Sequence, residues 1–556
     1  MPFFLILILL LLPSTVSAAS TLTMIPRLTD GHQRNFNPFR ANSVSTTKGF
    51  IFEPLFITAA EKRYYRLADS VTFSDDLSKI KLHLRSGITW SDGQPFVAED
   101  VVYSLNLQKD TPNLDIHHVG EKIKSVSKTG PREVTVTLKQ PNTHFLTLLA
   151  HSPIVPFHQW KTVKDPETFL NPDPIGTGPF TKISSFSSQE VVQCRNPKYW
   201  QASKLAIDCI RYPKVASNEE LVDRLSAGEI DWASAFIPDI DRNYAAYSPH
   251  HKYHPDVSSV VSLLFNFDNP DPNIKQVISD IRFRRAMSMA IDRELLINIA
   301  VFGQGQLVTT PSGLEPKFSS WVNPSHRDQF NYYIRYHPSA SKRLLDNMNI
   351  KDKDGDGYRE LPSGKPLYLS IITPKGWSDF ESSAEVIKDM AATIGIKVIH
   401  SSVNFSLYEE LMATADYDIT LTNYPRGNSP FIYFDAAFNS EHQKKESPRY
   451  ARHYFVQPKV DALLHEYKVT KSLDDKKVII DKLEALLVRK QVTVPLYYKI
   501  DTVEYNSTRF KGWWQDDQQH GKVPPIWSNS QLRLLQTLDL SEAKHKEREL
   551  DQYHPQ

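Results

Sequence analysis

KPLYLSIITPKGWSDFESSAEVIKDMAATIGIKVIHSSV, residues 365–403, reads as strand, turn, helix and strand. KPLYLSII is a short apolar run of strand length, residues 382–395 carry apolar side chains at helical spacing, and GIKVIHSSV resumes a strand pattern. The order repeats downstream, where a helical pattern over 471–489 is followed by QVTVPLYYKI, residues 491–500. Strand–helix–strand order implies an α/β architecture, with sheets covered by helices. Upstream, KIKLHLRSG (79–87) and EVTVTLKQP (133–141) alternate apolar and polar residues, the signature of half-buried strands. RFRRAMSMAIDRELLINIAVFG (282–303) reads as one helix ending at Gly303. No repeat of solenoid length and no long linker is visible.

At 556 residues the chain is too long for one hydrophobic core; typical domain size suggests roughly three to four domains or lobes. With 40% hydrophobic and 23% charged residues it has ordinary soluble composition, and 28 Phe with 24 Tyr are too many for an unfolded chain. The 65 Lys and Arg against 64 Asp and Glu leave a charge of +1, so no general field draws it onto nucleic acid.

MPFFLILILLLLPSTVSAAS opens the chain with an apolar run too short to cross a bilayer as a helix. Small residues around Val16-Ser17-Ala18 resemble a signal-peptidase site, so residues 1–19 are expected to be a cleaved signal peptide, although no Lys or Arg follows Met1. No cysteine follows the small residues, so a free periplasmic protein without a lipid anchor is expected. The only cysteines, Cys194 and Cys209, lie in strand-like runs separated by a turn-like segment. An oxidising compartment permits them to pair; two reduced buried thiols are the alternative.

Four segments together carry a resemblance: LHLRSGITWSDGQPFVAEDVVYSL (82–105), PIGTGPF (174–180), CRNPKYW (194–200) and FRRAMSMAIDRELL (283–296), with PLYY (495–498) near the end. In this order they resemble the peptide- and oligosaccharide-type solute-binding proteins of ABC importers, solute-binding family 5. That resemblance implies a two-lobed periplasmic-binding-protein fold of type II, the large cluster-C kind, with an extra domain on the N-terminal lobe. The expected division is lobe I over 20–52, 179–283 and 501–540, the additional domain over 53–178, lobe II over 284–500, and a charged tail over 541–556. Hinge crossings are expected near Gly178–Pro179, Arg282–Phe283 and residues 498–503. RNFNPF (34–39), IPDIDRNYAAYSP (237–249), PKGWSDF (374–380) and STRFKGWW (507–514) look like the branch that binds chitin-type oligosaccharides, with cellobiose binders nearby.

A sugar site needs flat apolar faces and a few placed polar groups, whereas a free peptide needs an acid for its amine and a base for its carboxylate. Trp377 sits in a polar turn, Gly376-Trp377-Ser378-Asp379, an unusual place to store a core indole, and Asp379 can accept from sugar hydroxyls. Trp527 follows Pro524 and Pro525, which stiffen the backbone. By resemblance to the chitin-oligosaccharide branch, Trp377 and Trp527 stack on sugar rings, and Asn218, Asn423, Arg34, Arg449 and Tyr450 fall where polar contacts are placed. Of the adjacent Trp513 and Trp514, one is expected inward and one exposed, with Trp513 a lesser ligand candidate. The branch commonly shows a Phe after the Asn-Tyr pair, where this chain has Pro425-Arg426.

Asp352, Asp354 and Asp356 look like the first half of a calcium loop, but Ser363 stands where a bidentate Glu belongs, so an Asx-rich turn with no metal is the expectation. No GxSxG, HExxH or phosphate-cradling loop is present. The implied function is capture without chemistry or cofactor by a monomer. It takes up a small-molecule ligand, closes its lobes and presents it to an ABC permease in the inner membrane; a sensor kinase is a further candidate partner. Oligopeptide uptake is the alternative, and a secreted glycosidase a more distant one.

Overall fold

The computed structural model describes residues 20–59, 62–424, 427, 429–443, 452–517, 521–526 and 530–540. The segment that opened the sequence reading forms strand Tyr368–Pro374, helix Ser378–Thr393 and strand Lys397–Val403. The two strands pair in parallel from Tyr368↔Lys397 to Pro374↔Val403, as a helical crossover requires. Helix Leu473–Lys490 likewise leads into strand Val494–Asn506.

Strands Ala68–Phe73, Lys79–Leu84, Glu133–Leu138 and Ile123–Gly130 form an antiparallel sheet in that spatial order. Helix Ala98–Asp110 closes over it, with Trp90 and Trp160 buried in the same core. A second sheet joins Lys182–Phe186, Glu190–Cys194 and Cys209–Pro213 to a parallel strand, Thr21–Thr23. Cys194 and Cys209 face each other in register there and are joined by a disulfide. A seven-stranded sheet contains the crossover strands and the antiparallel pair His251–Phe265 and Val494–Asn506. This pair runs from His251↔Asn506 to Leu263↔Val494, with register shifts between Val257 and Val260 and between Val261 and Ser262. The two long strands link the sheet-rich first lobe to the second.

Two glycines of PIGTGPF let the chain run against residues 50–52. A Cβ on Gly176 would stand 2.1 Å from the Ile51 carbonyl oxygen, and one on Gly178 would stand 2.3 Å from that of Phe50. The 282–303 reading needs correction. The segment forms two helices, Ile281–Ala290 and Arg293–Ala300, because the Asp292 carboxylate accepts the Leu295 N–H and caps a new start. Arg282 and Phe283 lie inside the first of these helices, as does the expected boundary between 283 and 284. Residues 1–19 and the tail 541–556 lie outside the described residues.

Candidate functional site

Among the described residues the lobes touch at several places, and two of these seams bear on the site. At the first, the Asn218 N–H donates to the Gly376 carbonyl at 3.3 Å and its side-chain amide donates to Ser378 Oγ at 3.2 Å. Asn218 is placed by a helix, Asn218–Ser226, whose cap Ser217 accepts from the Glu220 N–H. Gly376 has φ +85°, and a Cβ there would stand 3.3 Å from the Ala216 carbonyl oxygen and from Ser217 Cβ, so the turn admits the opposing lobe closely. Next to it, half-buried Trp377 lies nearly parallel to Phe405 (interplanar 20°, centroids 5.7 Å apart), with Phe380 edge-on at 5.5 Å. Asp379 turns inward: its carboxylate meets Lys499 Nζ at 3.0 Å, and Lys499 also meets Asp501 at 3.2 Å.

At the second seam the Thr143 N–H donates to the Lys468 carbonyl at 2.8 Å, and Lys476 Nζ donates to Thr143 Oγ1 at 3.1 Å. The His144 ring lies 4.9 Å from that of Phe431, edge to face. Burial pushes His144 down to about 4, against the opposing pull of Asp435, so the imidazole is neutral at the seam.

A cavity of about 110 Å³ opens beside residues 48–57, lined by Lys48, His117, His151, Ser152 and Gln531 among others. Lys48 Nζ lies 3.1 Å from His117 Nε2, and the His117 and His151 rings are 5.7 Å apart. Burial, aided by the Arg27 charge, pulls the Lys48 ammonium down to about 8. Burial and Lys48 together bring His151 to about 4.

This arrangement of lobes and seams suits capture of a solute between two bodies. Residues 62–445 match the family of bacterial extracellular solute-binding proteins, family 5. The chain belongs to that family. The family 5 relative AppA of Bacillus subtilis, an oligopeptide-binding protein, is 26% identical over 446 residues, covering 78% of this chain and 77% of its own. The periplasmic oligopeptide-binding protein OppA of Escherichia coli is 23% identical over 517 residues, 88% and 89% of the two chains. A mannohexaose-bound periplasmic oligopeptide-binding protein of an ABC transporter from Thermotoga maritima superposes with a TM-score of 0.83 at 24% identity, over 94% of this chain and 99% of that one. The fold is thus the two-lobed α/β fold of type II periplasmic binding proteins, and the family 5 chain is the substrate-binding component of an ABC importer.

Among the residues singled out from the sequence, the family 5 structure brings Trp377, Asp379 and Asn218 together at the first seam. Asn423 stands at the end of strand Ile419–Asn423, its amide donating to Ser259 Oγ at 3.3 Å. Arg34 is exposed, ion-paired with Asp173 at 2.9 Å. Trp527, Arg449, Tyr450, Pro425 and Arg426 lie outside the described residues. The expectation of one exposed indole at 513–514 is overturned. Trp513 is 4% exposed, donates to the Phe510 carbonyl and packs on Trp232 and Tyr505, while Trp514 is 6% exposed and donates to Thr537. Leucines of 530–538 join the same core cluster, so Trp513 is buried among core side chains.

In the acidic turn the carboxylates of Asp352, Asp354, Asp356 and Glu360 gather within 4.8 Å of one another. Each accepts a backbone N–H, from Gly355 and Gly357, Asp356, Tyr358 and Lys353 respectively. Sequence reasoning missed the Lys48, His117 and His151 group, whose members are single polar residues on three separate segments with no motif to join them.

Proposed function

We propose that this chain captures a short oligosaccharide, of the chitin-disaccharide or cellobiose kind, outside the cytoplasmic membrane and delivers it to an ABC permease. The observation that carries this reading is Trp377: a half-buried indole at the seam between lobes, backed on one side by the near-parallel Phe405 ring. A backed indole is rigid, and its uncovered surface suits the C–H face of a pyranose. Asn218, already bridging the lobes beside it, supplies an amide of the kind that pairs with sugar hydroxyls. A closed form that encloses solute against both lobes is favoured by ligand that touches both.

The relatives named as oligopeptide-binding favour a second reading, short peptides. Against it, Asp379, two residues from Trp377, is buried and ion-paired with Lys499, a cation it shares with Asp501. The role is binding without chemistry, and residues 1–19 are proposed to direct export. No helix among the described residues is long and apolar enough to cross a membrane.

Adding chitin disaccharide or cellobiose is expected to shift tryptophan emission to the blue and raise Tm, and Trp377→Ala to weaken binding roughly tenfold or more. Unchanged emission and Tm with both sugars, alongside a response to di- or tripeptides, replaces this reading with the peptide one.

A further inference from the structure

Beside the first seam, each lobe presents a charge that the other does not neutralise. Arg27 follows strand Thr21–Thr23 on the first lobe, where the Tyr212 O–H donates to its carbonyl at 2.9 Å and the Thr29 N–H donates to the Val215 carbonyl at 2.7 Å. Tyr212 and Val215 belong to the core of that lobe, and Val215 stands three residues before Asn218, which meets Gly376 and Ser378. Glu409 lies on the second lobe. Its helix, Phe405–Thr414, begins where the Asn404 side chain accepts the Leu407 N–H, and it packs Tyr408 and Met412 with Ile372 of the crossover strand. Phe405, the ring behind Trp377, is one turn before Glu409 on the same helix face.

Both side chains are exposed, and among the described residues neither forms an ion pair. They nonetheless sense each other across the lobes: the protein around Glu409 desolvates its carboxyl and raises its proton affinity, and the Arg27 charge pulls it back. A carboxylate open to water yet desolvated by its surroundings stands on the wall of a cleft, not on an outer face. Arg27 gives part of its donor set to the Tyr212 hydroxyl, which steadies the guanidinium and leaves other N–H groups over. The seam beside them is in contact while these two charges stay apart, so the space between them is open to a guest.

We propose that Arg27 and Glu409 form a two-walled subsite for a pair of neighbouring sugar hydroxyls, one lobe donating and the other accepting. The inference rests on the sugar-capturing reading above and deepens it. A guanidinium only donates and an ionised carboxylate only accepts, so a guest that satisfies both must accept on one side and donate on the other. Hydroxyls do both. Two on adjacent carbons project from the edge of a pyranose whose face lies on Trp377, and each wall would take one. Hydrogen bonds to charged groups are the strong kind, and bonds to both lobes at once favour the closed form.

The test is calorimetry on the full mature chain with cellobiose, chitin disaccharide and triglycine, comparing the parent with Arg27→Met and Glu409→Gln, alongside small-angle scattering of each unliganded protein. Each substitution is expected to weaken sugar binding roughly tenfold or more, through loss of a charge-assisted hydrogen bond. Unliganded Glu409→Gln should keep the parent's Tm and radius of gyration, because its exposed carboxylate forms no ion pair. Sugar binding equal in parent and variants overturns the subsite and leaves the sugar reading intact. A larger radius of gyration in the unliganded variants makes the pair a latch between the lobes and also overturns the subsite. Binding of triglycine in place of both sugars, weakened in both variants, assigns the two walls to a zwitterion and overturns the hydroxyl assignment together with the sugar reading. No binding of sugar or peptide at millimolar concentration overturns both.

Discussion

Lys499 decides what Asp379 can do. Burial alone would strip the lysine of its proton, yet Asp379 and Asp501, at 3.0 and 3.2 Å, hold its proton affinity above the usual lysine range. The three charges form a unit in which removal of the central cation leaves two carboxylates facing each other with little access to water. Lys499→Met is therefore expected to lower unfolding free energy by about 3–5 kcal/mol in urea titration, and the triple variant with Asp379→Asn and Asp501→Asn to recover most of it. Because Asp379 stands in the first turn of helix Ser378–Thr393, the single variant should also disturb Trp377 and weaken ligand binding. A Lys499→Met protein as stable as the parent would show that the charges do not act as a unit. The turn carboxylate was legible in the sequence; its neutralisation was not, since the partner lies 120 residues away and pairs through the tertiary fold.

Strand Val494–Asn506 carries the connection between lobes and also holds a buried acid. Glu504 is 0% exposed, and burial pushes its carboxyl up to about 8. A carboxyl protonated in the fold and ionised in the unfolded chain binds more protons when folded. Its stability contribution is intact below the unfolded value near 4.5, declines as pH rises towards 8, and then levels off. Glu504→Gln escapes this decline. Its stability advantage over the parent should grow between pH 5 and pH 8, by at most about 1.4 kcal/mol per pH unit, as read from urea midpoints. A constant difference across that range would place an ionised Glu504 in the fold.

Elements of this kind were largely readable, because the strand VPLYYKI and the crossover 368–403 announce themselves by apolar runs and helical spacing. Where reading failed, at 291–293, a single Asp side chain outcompeted the helical pattern by capping a second helix. At 513–514 the failure had another cause: two adjacent side chains on opposite sides of a coil can both be buried when other segments cover both sides, and that covering comes from residues 530–538, beyond any local pattern.

At the scale of the whole molecule, closure is expected to bring the lobes together at these seams, and His144 at the second should make it sensitive to protons. His144 faces Phe431, Asp435, Lys468 and Lys476 across the seam and His151 on its own side. With the lobes together its pKa is about 4, set first by burial; with the lobes apart it returns towards the solvated value near 6.5. The open form then binds more protons than the closed one, so closure is fully favoured above about pH 6.5 and loses ground as pH falls from there towards 4. Asp435, held well below the usual carboxylate range by His442 and Lys468, stays ionised throughout. Ligand affinity should therefore fall between pH 6.5 and 4.5, and the radius of gyration in small-angle scattering should rise. His144→Phe keeps an aromatic ring against Phe431 but has no proton to gain, so it should match the parent at pH 7.5 and lose part of the decline below pH 6.5. If the variant falls as steeply as the parent, protons couple to closure through other groups and the second seam is a passive contact.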